Sequence, residues 1–368
     1  MSQISSRIYW IDTCKAYAMI LVFYGHLWFS DKSPNPEILL QNKLIYAFHM
    51  PLFFVLSGFL DKGNIKEFRL FLKNKFFTRI VPFVVFNLLL LIVLIPKNIL
   101  NHTFSLKEDL LMLAGLIRGE ATISLVTWFL ICLFTTELIH FWVAPKINNY
   151  KSKAITILIF YIVGIIVTWK IDLVSRITGI APNFWYIHEA LVAYPFFLIG
   201  AILNQIRLFE FTSQSSLKYV YLILSIIVLL TTFNLNNGLY DQQFNTVLMV
   251  DSQHGHPIWF LVTALAGTFF LIFLSQITPT NSFLLFLGRN TLVLLGLNGF
   301  FRDIFNPMIV RAIPQEALNG HFQIFIVCSL VTIFSLILCV PSILFLNKFL
   351  PQLIGKPKKQ GPILPPLL

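Results

Sequence analysis

The sequence predicts an all-α, polytopic integral membrane protein of about ten transmembrane helices, with both termini in the cytoplasm. Three observations predict it. Of the 368 residues, 57% are hydrophobic and only 12% charged, with a mean hydropathy of +0.78, which lies outside the range of soluble globular chains. The apolar residues form blocks of about 18 to 25, the length a helix needs to cross roughly 30 Å of hydrocarbon; a barrel would show short alternating segments. Finally, with the N-terminus inside, 18 of the 27 Lys and Arg residues fall on the inner side, six of them in the loop 62–79, as the positive-inside rule requires.

The helices are bounded by charges and by Pro, Gly and Asn clusters. The first block, 8–29, follows Arg7, and no small-residue cleavage site comes after it, so it reads as an uncleaved helix. The others are 43–60, 76–95, 123–143, 154–169, 185–205, 217–233, 257–275, 283–301 and 322–349. Residues 110–119, "LLMLAGLIRG", are too short to span and belong at the interface or in a re-entrant turn. No internal repeat is visible, which argues against transporter folds built from inverted repeats. One membrane domain therefore covers 1–350, and 351–368 is a short basic, proline-rich cytoplasmic tail.

The formal charge of +11 is accounted for by inward-biased Lys and Arg at lipid head groups, so no nucleic acid is implied. Cys14, Cys132, Cys328 and Cys339 all lie in apolar blocks and read as packing residues, with no disulfide framework or metal spacing. Trp10, Trp28, Trp142, Trp169 and Trp185 sit at helix ends, where interfacial tryptophans gather.

Function is carried by the ionisable residues inside these apolar blocks, each of which costs a few kcal/mol to insert. Lys15 and His26 are 11 positions apart, about 1100° of rotation, so they share a face and stand about 16 Å apart along the axis. Asp12 lies about 40° from His26 on the same reckoning and serves as counter-charge to Lys15. The second helix returns inward with His49 at a depth comparable to His26. Pro51 should kink it, and Ser57 and Gly58 allow a neighbour close approach. Glu137 lies inside the fourth helix and should pair with Lys15, Arg79 or Lys146. The basic loop 62–79, with Phe between its cations, reads either as a snorkelling positive-inside loop or as a clamp for an anionic cosubstrate, with Arg79 the foremost clamp member.

Taken together, these residues resemble the membrane acyltransferase 3 family. The likeness begins with a basic residue followed ten positions later by His in the first helix, Lys15 and the His26 of "YGH". It continues through "FHMPLFFVLSGFL", "RIVPF" from Arg79, "TWFLICLF" at 127–134, "YPFFLIG" at 194–200 and "LGRNTLVL" at 287–294. "FHMPLFF" is similar to the sugar O-acetylase branch described as fucose 4-O-acetylases. Two departures stand out: Lys15 occupies a position often held by Arg, and Asn298 stands where many relatives have His, whose role therefore does not carry over. The resemblance implies acetyl-CoA entering from the cytoplasm, a sugar hydroxyl of a surface polysaccharide or lipid-linked glycan as acceptor, no metal, and residence in a bacterial inner membrane.

On that reading His26 takes the acceptor proton and His49 assists it, and Glu137 joins the catalytic set. Asp12, Lys15, Lys75 and Arg79 hold the acyl-CoA, and Ser57 and Trp128 contact substrate. Whether an acetyl-histidine forms is open. The alternative is a proton-coupled transporter or flippase for a sugar or lipid-linked glycan, using the same residues as a proton relay.

Overall fold

The computed structural model describes residues 8–27, 36–63, 65–236, 246–314, 318 and 320–368. Trp28 of the predicted belt, and Arg7 and Lys32 of the charge count, lie outside them. Among the described residues the regular structure is helical, apart from one isolated bridge between Leu248 and Gln253. Among the described residues eight helices are long and apolar enough to cross a membrane, and one bent pair passes the same test when its two halves are taken together. The chain is an integral membrane protein.

Helix α1, Tyr9–Gly25, is central: it packs on α3 (His49–Leu60), α13 (Pro257–Ile277), α14 (Ser282–Arg289), α15 (Thr291–Phe300) and α17 (His321–Phe349). Its 17 residues rise about 25 Å. Beside it, α10 (Ile187–Gln205) joins α3 to α7 (Trp128–Val143) and α8 (Tyr150–Trp169). The span of α10 is 72% buried, against 22% for α8 and 11% for α12 (Leu217–Thr232). The apolar side chains that α8 and α12 leave exposed, among them Leu158, Ile162, Ile223 and Ile227, form the lipid face.

Close approach of α3 and α10 rests on two glycines. A Cβ on Gly58 would lie 1.8 Å from the Phe197 carbonyl oxygen, and one on Gly200 would lie 1.9 Å from that of Val55. The expected close contact at Gly58 is therefore present, backbone against backbone, as small residues permit in membranes.

Five sequence expectations are corrected. The second span, 37–60, starts earlier than expected and is interrupted by a short turn: α2 (Pro36–Tyr46) ends before Ala47 and α3 begins at His49. Pro51 therefore stands in the first turn of α3, where no backbone N–H is missed, and produces no kink. The third helix starts much earlier, because α4 (Phe68–Lys75) runs through a π-helical turn at Phe76–Ile80 into α5 (Val81–Leu100). Much of the expected basic loop is thus helical. The ninth helix breaks by 77° at Asn290, between α14 and α15. Trp185 faces protein: it has φ +49° and packs against Phe134.

Between α5 and α7, α6 (Leu106–Ile117) has 12 residues, too few to cross; the Ser105 side chain caps it by accepting from the Glu108 N–H. Beyond α17 the chain folds back: Pro351, Gln352 and Ile354 are buried, and Lys356 donates to Asn290 and Asn347.

Candidate active site

One end of the site is an ion cluster built by three elements. Glu137, on the last turns of α7, is 4% exposed. Its Oε1 accepts from Lys75 Nζ at 2.8 Å and from Arg79 Nη2 at 2.9 Å, while its Oε2 accepts from Arg79 Nε at 3.2 Å. The two-pronged guanidinium contact is the geometry that planar Arg gives a carboxylate. Lys75 closes α4 and Arg79 lies in the π turn, whose i→i+5 bonding widens the helix locally, a feature often met at functional sites. Arg79 is thus confirmed as a partner of Glu137, and Lys75 is added.

This cluster stands between two spaces that share part of their lining. On the side that the charge count makes cytoplasmic lies a vestibule of about 990 Å³, with Lys62, Lys66, Lys75 and Lys146 on its walls and Phe71, Phe141 and Trp142 as aromatic surface. Arg69 and Lys73 are exposed and take no part in that lining. Toward the membrane interior lies a cavity of about 240 Å³, which shares Asp61, Lys75 and Glu137 with the vestibule. Asp61 Oδ2 also meets His140 Nε2 at 3.5 Å. The cavity runs along α1 past Lys15, Met19 and Val22, opposite Met50, Phe53 and Ser57 of α3 and Phe129, Leu130 and Leu133 of α7. Apart from its charged mouth it is almost wholly apolar.

Lys15, Met19 and Val22 follow one another at i, i+4 and i+7 on a single helical face, and the next position on that face is His26. Because α1 is an uninterrupted α-helix from Tyr9 to Gly25, the spacing of about 16 Å read from the sequence holds. His26 is the C-cap residue of α1 and is half-buried. The cavity stops at Val22 and Met50, each a short step along its helix from His26 and His49; the imidazoles themselves do not line it.

Around the two histidines the structure gathers residues that the sequence reading did not assign. His26 Nδ1 lies 2.5 Å from Asn298 Oδ1 of α15, and the His26 carbonyl accepts from Asn306 Nδ2 at 3.1 Å. The Tyr46 hydroxyl donates to the Gly25 carbonyl at 3.1 Å, and its ring sits between the imidazoles, 4.9 Å from His49 and 6.2 Å from His26. Arg302, in a second π turn at Phe301–Phe305, acts electrostatically on His26 and Tyr46. His49 Nδ1 donates to the Ile45 carbonyl at 3.0 Å, an oxygen that also accepts from the Phe48 N–H at the turn between α2 and α3. Since a carbonyl can only accept, His49 carries its proton on Nδ1 and keeps the Nε2 lone pair.

Two candidates, Asp12 and Trp128, sit away from the cavity wall. Asp12 accepts from Arg289 Nε at 3.3 Å, tying α1 to the end of α14. Trp128 is 6% exposed and packs on Tyr186, 5.7 Å between ring centroids. Ser57 does line the cavity, but on the inner half beside Lys75 and Arg79, and its hydroxyl donates back to the Phe53 carbonyl at 2.7 Å.

A family model described as an acyltransferase domain matches residues 8–340. The chain belongs to the acyltransferase 3 family. It is a membrane acyltransferase, and the carrier reading is not favoured. No curated protein and no solved structure matches the chain. The match runs from α1 through most of α17, so in this acyltransferase the ion cluster, the cavity and both histidines all lie inside the family domain.

Proposed function

We propose that this acyltransferase moves an acetyl group from cytoplasmic acetyl-CoA to a sugar hydroxyl of a surface polysaccharide or lipid-linked glycan, at a bacterial inner membrane. The observation that carries this reading is the basic vestibule on one side of the Lys75–Arg79–Glu137 cluster and, on its other side, a mostly apolar cavity that extends along α1 and α3 toward His26 and His49. A nucleotide diphosphate suits the lysines of the vestibule, and an adenine ring suits Phe71, Phe141 and Trp142. A narrow, mostly apolar passage suits the arm that bears the thioester.

The chemistry then falls to the outer end. The acceptor hydroxyl is a weak nucleophile until a base takes its proton. His26 takes that proton as the oxygen attacks the thioester carbonyl. A C–O bond forms, the C–S bond breaks, and the proton passes from His26 to the departing thiolate. His49, polarised through Nδ1 by Ile45, assists as proton partner. Asp12 and Trp128 enter the proposal through packing, Asp12 by fixing α1 and Trp128 by backing Phe129.

Membrane vesicles given radiolabelled acetyl-CoA test this, with extracted glycans examined by mass for an added acetyl group. Label on glycan or lipid, lost in His26→Ala while the protein remains folded in the membrane, is the expected result. Solute uptake with no acylation would favour a carrier, and full transfer by His26→Ala would remove His26 from the chemistry.

A further inference from the structure

We infer that Asn298 is the positioning residue of His26, fixing the imidazole in the Nδ1-protonated form so that Nε2 is the basic atom presented to the acceptor. This rests on the transfer reading and names the residue that orients its base. Asn298 Oδ1 is 2.5 Å from His26 Nδ1. The amide oxygen can only accept, so Nδ1 carries the hydrogen and the neutral ring keeps its lone pair on Nε2. Asn298 is fully buried, and its Nδ2 makes no hydrogen bond among the described residues. A buried amide with both N–H donors of Nδ2 unanswered is a poor packing choice in a membrane helix whose neighbours are Leu297 and Gly299. Leu would fill the place better. The contact with His26 is what the amide supplies.

The backbone of His26 is held as firmly as its ring. Tyr46 holds the Gly25 carbonyl and Asn306 holds that of His26, so the end of α1 cannot turn the ring away, and Asn298 settles the remaining freedom. The charged and titratable groups acting on His26 besides these are Arg302 and His49. Arg302 has no acceptor atom, and the partner seen on Nδ1 is Asn298 Oδ1. Orienting partners of this kind matter because the wrong tautomer puts the hydrogen where the lone pair is needed.

The test compares Asn298→Leu with Asn298→Asp in the full-length protein, each confirmed monodisperse by size exclusion. Two readouts are taken: kcat and KM for acetyl-CoA, and the 15N signal of His26 in histidine-labelled protein, assigned by its loss in His26→Ala. Asn298→Leu is expected to lower kcat by at least about 100-fold, since a misplaced tautomer disables the base, while KM stays within about twofold because the donor is held at the other end of the cavity. Its spectrum should change to an Nε2-protonated ring. Asn298→Asp keeps an acceptor oxygen and should restore both the native tautomer and most of the kcat. Native kcat in Asn298→Leu, or an unchanged tautomer there, overturns the proposal. Loss of the native tautomer in Asn298→Leu when even the unmodified protein transfers no acetyl would uphold the positioning role and reject the transfer reading. Loss of transfer in His26→Ala with Asn298→Leu fully active would do the reverse.

Discussion

Lys15 and His26 show what one helix lets a sequence say about single residues. Both lie on α1, so their separation and shared face follow from helical geometry alone. Asn298 is 272 positions from His26, and nothing local ties them; its identity, Asn in place of the His of many relatives, was the sole signal available. Arg289 escaped notice as the partner of Asp12 for the same reason, with 277 positions between them. Glu137 was legible in part, because a carboxylate inside an apolar helix demands a cation, although choosing Lys75 over Lys146 required knowing where the π turn aims it. Breaking that cluster should be costly. Glu137→Gln leaves Lys75 and Arg79, whose side chains are only 14% and 23% exposed, facing each other without an anion, a change expected to cost about 3–5 kcal/mol. A thermal unfolding transition in detergent lowered by several degrees is the expected result; an unshifted transition would mean that the two cations are not held by Glu137.

Helices as elements were more legible than their irregularities. Apolar length predicts where a chain crosses the bilayer, and the predicted blocks correspond to helices of the structure. The break at Asn290 and the π turns at Phe76–Ile80 and Phe301–Phe305 have no compositional mark, since they leave the hydropathy of the block unchanged. Yet they place Arg79 and Arg302. The quoted sequence motifs acquire physical reasons at this scale: Thr127 accepts from Asn87 of α5 and donates to the Ser124 carbonyl, Arg289 holds α1, and Gly200 lets α10 touch α3. Gly200→Leu forces a side chain into a place where even a Cβ would lie 1.9 Å from the Val55 carbonyl. Overpacking of this kind costs about 1–3 kcal/mol or more. The variant should melt earlier and lose transfer in parallel, because α3 carries both His49 and a wall of the cavity. Wild-type melting would show that the two helices have room to part.

For the whole molecule, the twofold bias of Lys and Arg and the mean hydropathy of +0.78 made a membrane protein evident, and the order of the motifs pointed to the acyltransferase 3 family. Neither disclosed the cavity, which arises where α1, α3, α7 and α15 meet from four separate parts of the chain. The C-terminal segment is seated beneath them: Gly355 lies near Leu292, which lines the cavity, and near Pro82 and Thr78, the residue before Arg79. The account as a whole depends on the acyl donor threading the 240 Å³ cavity from the ion cluster to the histidines. Ser57 is half-buried with its side chain on that cavity and bonded only to its own helix, so Trp at this position fills the passage without displacing a packed neighbour. The most direct measurement is the initial rate of acetyl transfer from labelled acetyl-CoA by Ser57→Trp, purified alongside the unmodified protein and shown to melt at the same temperature. The account predicts that transfer falls at least about 100-fold, as expected when the reacting groups can no longer be brought together; an undiminished rate would mean that the donor reaches His26 by another route.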